Sequence, residues 1–208
     1  MTGVFITFEG IEGVGKTTQV QKAYKLLSAK HPGNVITTRE PGGTPTGETV
    51  RNVILQDGAD IIDGITEMLL VFAARRQHIQ DVIQPSLDAG RIILCDRFTD
   101  ATFAYQGGGR GVDEQLIARL QDMVQGALRP DLTLLLDAAP DVGIARIRKR
   151  SAPDRFEAET MNFFRRVRHK YLELASRHPE RIHVIDAARE ADKVAAEIRS
   201  LLEAKGLC

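Results

Sequence analysis

The chain has 208 residues, 43% of them hydrophobic, which suits one compact domain around a single core. Twenty-eight Lys and Arg balance 28 Asp and Glu, so the basic excess on which nucleic-acid affinity normally rests is absent. Two cysteines, Cys95 and Cys208, give neither a disulfide framework nor a metal-ligand spacing. No signal-like leader or apolar run of about 18 residues occurs, and the expectation is a cytoplasmic protein that binds neither nucleic acid nor membrane.

Short runs rich in apolar and β-branched residues recur along the chain at Val4–Phe8, Asn34–Thr38, Ile92–Cys95, Leu132–Leu136 and Ile182–Ile185. Nearly continuous apolar strands are buried on both faces, as in a parallel sheet, and the segments between them are long enough for crossover helices. The expectation is an α/β fold with a five-stranded parallel sheet flanked by helices, one domain over 1–208. Ligands of such sheets lie outside the carboxyl ends of the strands. The exits at Glu9–Thr18, Arg39–Gly43 and Asp96–Arg97 therefore carry the functional candidates.

At the first exit, Gly10-Ile11-Glu12-Gly13-Val14-Gly15-Lys16-Thr17 fits G-x-x-x-x-G-K-[ST] without a mismatch. The glycines let backbone N–H groups turn toward phosphate oxygens, Lys16 reaches the β- and γ-phosphates, and the Thr17 hydroxyl ligates Mg²⁺. A helix opening near Lys16 and Thr18 adds its positive end. The pattern Val20, Ala23, Tyr24, Leu27 continues that helix. This is an ATP–Mg²⁺ site. No guanine-reading N-K-x-D follows, and the chain is short for a motor or transporter ATPase, which leaves a small kinase.

At the second exit, Pro41, Gly42 and Gly43 force an abrupt turn that brings Arg39, Glu40 and Pro41 against a ligand. At the third, the Arg97 guanidinium suits an acceptor phosphate and the charge that builds during transfer. Asp96 either serves Mg²⁺ through water, orients Arg97 or caps the next segment. Between these exits, Ile65, Met68, Leu69, Phe72, Ile79 and Ile83 mark one long helix over Ile65–Ile83. Arg75 and Arg76 interrupt its stripe, and either shares a face with Phe72, so that an aromatic ring and a guanidinium together suit a flat pyrimidine.

The phrases Phe8-Glu9-Gly10-Ile11-Glu12-Gly13-Val14-Gly15-Lys16-Thr17-Thr18, Thr38-Arg39-Glu40-Pro41-Gly42-Gly43-Thr44 and Asp96-Arg97-Phe98 with Ala104-Tyr105-Gln106-Gly107 strongly resemble bacterial thymidylate kinases in order and spacing. The resemblance implies the nucleoside-monophosphate kinase fold, the reaction ATP + dTMP ⇌ ADP + dTDP in dTTP synthesis, and a homodimer using the exposed face of the Ile65–Ile83 region. It implies that Arg97, Arg39 and Arg51 hold the monophosphate. It also implies that an aromatic residue and an arginine clamp the base. The Ala-Ala-Arg context favours Arg75 with Phe72, although four residues before Arg75 stands Val71. Thr102 and Gln106 match base-edge contacts, and Tyr105 packs under the sugar.

The basic stretch Arg146, Arg148, Lys149, Arg150 and Arg155 matches the family's lid, here 146–158. In thymidylate kinases whose phosphate loop lacks an arginine the lid supplies the catalytic one. The resemblance implies the same here, where Ile11, Glu12 and Val14 include no arginine, with Arg150 and Arg155 as candidates and Arg146 available to stack on adenine. Glu12 either holds the sugar 3′-hydroxyl, fixes a water on Mg²⁺ or pairs with a substrate-binding arginine, and Glu9 is a similar candidate. The acceptor is already an anion, so catalysis rests on alignment and charge stabilisation rather than on a general base. A kinase of another deoxynucleotide or of a nucleoside is the nearest rival, and an ATP-binding regulator the rival of another class.

Overall fold

The structure, a computed structural model, describes residues 3–56, 62–147, 155–156 and 159–208. Five strands, β1 (Val4–Glu9), β2 (Val35–Arg39), β3 (Ile92–Asp96), β4 (Leu132–Asp137) and β5 (Ile182–Asp186), form one sheet in the order β2-β3-β1-β4-β5. Every pairing is parallel, with Ile6 opposite Leu94 on one side and Leu132 on the other. The expected α/β architecture stands. The sheet interior is fully buried at Phe5, Ile6, Phe8, Ile93, Leu94, Leu134 and Leu136. Each such side chain contributes roughly 1.5–3 kcal/mol relative to exposure.

One detail of the strands departs from expectation. Each ends on a charged residue, Glu9, Arg39, Asp96, Asp137 or Asp186, one position beyond the last residue of the predicted run. The hydrophobic pattern stops at these charged residues, but the backbone ladder continues through them: Phe8 pairs with Asp96 and Asp137 with Asp186.

Helix α1 (Lys16–Lys30) leaves β1 through Gly15, whose φ of 95° is the left-handed conformation glycine adopts without strain. It buries Val20, Ala23 and Leu27, whereas Tyr24, expected on the same face, is 40% exposed. Helix α2 (Pro45–Leu55) is capped by the Thr44 hydroxyl, which accepts from the Gly47 N–H at 3.0 Å.

The single helix expected over Ile65–Ile83 is a composite. Helix α3 (Gly64–His78), capped by Asp63, runs into a π-helical turn at Ile79–Ile83 and then α4 (Gln84–Asp88). Pro85 stands at the start of α4 and has no N–H to donate to the preceding turn, so the ladder widens there. Met68, Phe72, Ile79 and Ile83 are buried as the stripe requires, while Ile65 and Leu69 face outward at 51% and 50% exposure.

After β3, α5 (Thr99–Thr102) passes into a second π segment at Phe103–Gly109, followed by α6 (Glu114–Gln125). Helices α7 (Pro140–Ile147), α8 (Met161–Arg177) and α9 (Ala191–Ala204) complete the layers. Helix α8 packs Phe163, Phe164, Val167 and Tyr171 into the core. The carboxyl ends of β1, β2 and β3 thus open together on one side, beneath α2, α3 and the second π segment.

Candidate active site

A cavity of about 600 Å³ lies at those strand ends, well within the size range of small-molecule sites. Its lining includes Glu12, Gly13, Gly15, Lys16, Thr17 and Thr18 from the phosphate loop, Arg39, Glu40, Pro41 and Arg51 around the β2 exit, and Asp96 and Arg97 from the end of β3. Arg75, Thr102, Tyr105 and Gln106 line the opposite end. Four segments singled out in the sequence therefore meet in one space.

The phosphate loop curls tightly. Gly13 has φ 74°, and a Cβ built there would lie 2.1 Å from the Gly143 carbonyl oxygen on α7, so no side chain fits. Lys16 Nζ donates to the carbonyls of Gly10 at 3.1 Å and Ile11 at 2.8 Å. Burial, and then the neighbouring Arg97 charge, pull its pKa down to about 8. Gly10, Ile11 and Val14 build the loop from behind; Ile11 and Val14 are 3% exposed and belong to the core rather than the cavity wall.

Arg97 is the one non-glycine residue with positive φ among the described residues, at 70°. Strained backbone of this kind persists only where surrounding structure over-determines it. Its N–H donates to the Phe8 carbonyl at 3.0 Å, and Nη1 donates to the Gly10 carbonyl at 3.0 Å and to Tyr171 Oη at 3.2 Å. Nη2 donates to Glu12 Oε1 at 2.7 Å and to Tyr105 Oη at 3.0 Å. Tyr105 in turn donates to Glu12 Oε2 at 2.5 Å. Burial opposes the Arg97 charge, yet Tyr105, Glu12, Tyr171 and Asp96 together hold its pKa well above the ordinary value. Among the alternatives open for Glu12, the structure pairs it with this arginine.

Glu9 does not face the ligand space. It is fully buried and accepts from the Phe98 N–H at 2.7 Å and the Tyr171 hydroxyl at 2.7 Å. Burial first, and Asp100 second, raise its pKa to about 8. Its assignment as a substrate contact is corrected to a support beneath Tyr171 and so beneath Arg97.

Asp96 and Thr17 line the same cavity, and Asp96 Oδ1 is buried without a hydrogen-bond partner. An orphaned carboxylate oxygen near a phosphate-loop hydroxyl fits a hydrated divalent cation. Among the described residues no group of three or more His, Cys, Asp or Glu side chains forms a closed metal cluster, so such a cation would draw its other ligands from phosphate and water.

Around the β2 exit, Arg39 donates to Glu48 Oε2 at 2.8 Å and Arg51 to the Pro41 carbonyl at 3.1 Å. Burial, then Arg39 and Arg97, push the Arg51 pKa down, the mark of an electropositive pocket.

At the far end, Arg75 is 1% exposed. Its Nε donates to Glu40 Oε2 at 2.7 Å, and Nη2 donates to the Phe98 carbonyl and the Thr102 hydroxyl at 3.0 Å each. Nη1 is buried with no partner. His78 Nδ1 lies 2.9 Å from Glu40 Oε1, and its Nε2 lies 2.6 Å from Thr38 Oγ1. Arg76 instead lies outside on α3, bonded to Gln80. The choice between the two arginines is thereby made by position: Arg75 faces the cavity.

Its aromatic partner is a correction. Phe72 is 2% exposed and absent from the cavity lining; the Arg75 guanidinium carbon lies 4.9 Å from its ring centroid, inside the core. Val71, one full turn before Arg75, lines the cavity with Phe98. A helix turns 100° per residue, so a shift of one position moves a side chain from cleft to core.

The basic stretch is corrected as well. Arg155 does not reach the cavity. It donates to the Ile54 carbonyl at 3.2 Å and the Ile62 carbonyl at 3.0 Å and pairs with Glu67 at 3.0 Å, while its neighbour Phe156 lines the cavity edge-on to Tyr105. Arg146 donates to the Ala187 and Ala188 carbonyls, bridging α7 to the loop after β5. Arg150, with Arg148 and Lys149, lies outside the described residues.

Reading by sequence missed Tyr171, Glu67, His78, Phe98 and Phe156. Tyr171 and Glu67 carry no motif, and their contacts span 162 and 39 positions of the chain.

A phosphate loop at the end of the first strand, facing a second cluster of cations across one cavity, defines a P-loop kinase of small phosphorylated acceptors. The sequence model of the thymidylate kinase family matches residues 8–198. Thymidylate kinase of Pseudomonas putida (strain GB-1) is 50% identical over 202 residues, 97% of this chain and 96% of that one. That of Cupriavidus metallidurans is 48% identical over 97% and 98% of the two chains. The crystal structure of thymidylate kinase from Ehrlichia chaffeensis superposes with a TM-score of 0.80 at 38% identity, covering 97% of this chain and 99% of that chain. The chain belongs to the thymidylate kinase family, and its reaction is phosphorylation of dTMP to dTDP with ATP as donor.

Proposed function

We propose that the two ends of this cavity divide the transfer between them, with Gly10 to Thr18 holding ATP and the arginines holding dTMP. One observation carries the reading: Lys16 and Arg97 both donate to the same Gly10 carbonyl oxygen. A donor-phosphate cation and an acceptor-phosphate cation thus stand side by side, as in-line passage of one phosphorus requires. Lys16 draws charge from the γ-phosphoryl group. Arg97, Arg39 and Arg51 hold the acceptor monophosphate, and Glu12 with Tyr105 keeps Arg97 aimed.

Thr17 and the orphaned Asp96 oxygen would hold Mg²⁺, which would supply positive charge against the phosphates of ATP. At the base end, the unpartnered Nη1 of Arg75 supplies a donor to a pyrimidine carbonyl. Thr102 and Gln106 supply the remaining polar edge, Val71 and Phe98 the apolar faces, and Glu40 and Pro41 the wall.

The chain is a single nucleoside-monophosphate kinase domain over 1–208, with a lid at 146–158. Arg155 is occupied by the Ile54 and Ile62 carbonyls and by Glu67, which leaves Arg150 as the candidate for the catalytic arginine of the lid. The enzyme is cytoplasmic; no helix among the described residues is long and apolar enough to cross a membrane. It works as a homodimer, for which the exposed Ile65 and Leu69 of α3 and Val53 of α2 offer an apolar face.

The test is ADP release with dTMP, dUMP, dCMP, AMP and thymidine as acceptors, in wild type and in Arg97→Ala. Wild type should turn over dTMP and ignore thymidine. Arg97→Ala should lose both dTMP binding and turnover, on the order of a hundredfold or more in kcat/KM. Near-normal rates in the variant would remove Arg97 from the acceptor site.

A further inference from the structure

Glu67 has no place in the reading above, yet it is the most deeply buried carboxylate beside the base end of the cavity, at 0% exposure on α3. Three groups converge on it. Gln106 Nε2 donates to Oε1 at 2.8 Å, Arg110 Nε to the same oxygen at 3.3 Å, and Arg155 Nη1 stands 3.0 Å from Oε2. Arg110 is further tied to Glu159. Two guanidiniums compensate one buried carboxylate, and the remaining contact reaches a cavity residue.

That contact fixes a chemical orientation. The amide of Gln106 has a donor end and an acceptor end of nearly equal size, and a rotation about its last bond exchanges them. A carboxylate flanked by two guanidiniums accepts and does not donate, so the nitrogen of Gln106 must face Glu67. The oxygen is left for the cavity, which Gln106 lines. The base end, lined by both residues, then combines an acceptor from Gln106 with the unpartnered donor Nη1 of Arg75.

We propose that Glu67 is a positioning residue for base specificity: it locks Gln106 with its carbonyl oxygen toward the ligand, so the site takes pyrimidines with a ring N3–H and a 4-carbonyl. Thymine and uracil present that donor and that acceptor. Cytosine presents the reverse, a bare N3 and a 4-amino group, and so meets oxygen with a lone pair and guanidinium with an amine. A site built on hydrogen-bond polarity rejects the wrong base by leaving buried groups unpaired. This inference rests on Gln106 reading the base, and its test separates the two.

Steady-state rates with dTMP and dCMP are measured for wild type, Gln106→Leu and Glu67→Gln, with melting temperature and ATP KM as checks on folding. An amide at position 67 can donate as well as accept and no longer dictates the flip. Glu67→Gln should therefore lower the dTMP-to-dCMP ratio of kcat/KM about tenfold, mainly through dTMP KM, with ATP KM unmoved. The paired exchange Glu67→Gln with Gln106→Glu puts a donor on α3 and an acceptor toward the cavity, and should recover most of the ratio. A merely structural carboxylate would show no such recovery.

If Gln106→Leu lowers the ratio but Glu67→Gln, folded, does not, the positioning role is overturned while base reading by Gln106 stands. If Gln106→Leu leaves the ratio intact, the base reading falls and the inference with it. Should Glu67→Gln fail to fold, Glu67→Asp keeps the charge for Arg110 and Arg155 but draws back from Gln106. It must then show the same loss of selectivity, and an unchanged ratio there overturns the proposal.

Discussion

At the phosphate end of the cavity, ligand groups come from the backbone of a loop and from side chains that already bond to one another: Lys16 to two carbonyls, Arg97 to Gly10, Glu12 and both tyrosines. At the base end they come from buried side chains steered by carboxylates, Arg75 by Glu40 and Gln106 by Glu67, with one donor of Arg75 left over. Phosphate is the same in every nucleotide, and a cradle of amides and cations serves all of them. A base must be told from other bases, which needs donors and acceptors held in a fixed sense. The first end should therefore govern rate, and the second should govern selection.

The comparison breaks most visibly at Lys16. Lys16→Met should lower kcat about a thousandfold, as loss of a transition-state cation does, and leave dTMP affinity within about twofold by calorimetric titration. Loss of dTMP binding in that variant would mean the two ends are not separable.

At the opposite end, Arg75→Met should raise dTMP KM between about tenfold and a hundredfold with a smaller change in kcat. It also takes from Glu40 its buried guanidinium and leaves His78 as the remaining buried partner, at roughly 3 kcal/mol of stability by chemical denaturation. A fall confined to kcat would place Arg75 in the transfer step instead.

Glu9 sharpens the comparison through pH. The native state keeps its proton up to about 8, whereas an unfolded glutamate gives it up near 4.5. Between those values the native state binds more protons, so stability is fully present below the lower value and is lost as pH rises through the upper one. Melting temperature should fall from pH 5 to pH 8, and Glu9→Gln should flatten that slope. Equal slopes would show that Glu9 is ionised in the folded protein.

The smallest effect concerns Phe72. Phe72→Leu should cost about 1 kcal/mol of stability and leave dTMP KM unchanged, in contrast to any bulky or polar change at Val71.

Sequence legibility follows the same division. The phosphate loop could be read because its motif is local: Gly10, Gly15, Lys16 and Thr17 stand at fixed spacing for backbone reasons. The central strands β1, β3 and β4 could be read because burial on both faces leaves continuous apolar runs, and the half-exposed edge strands β2 and β5 because β-branched residues fill them. The last residues could not, since Glu9, Arg39, Asp96, Asp137 and Asp186 are charged and carry no apolar signal. The two π segments left no trace in the apolar pattern, and Arg155, a cation in a basic stretch, gives no sign that it turns to Glu67. Phe72 was misplaced because neighbours on a helix differ by 100° in direction, an angle that composition does not record. Glu67, His78 and Tyr171 were invisible because each acts on a residue far along the chain.

The contact between Gly13 and Gly143 bears on how such a loop is made. Its curvature is not a property of its own residues alone: the opening of α7, contributed from the other half of the polypeptide, closes against it with no space for even a methyl group on either side. The aperture through which a triphosphate is gripped is thus gauged by two backbones touching. A transplanted phosphate loop would carry the motif but not its calibre unless the glycine at 143 travelled with it.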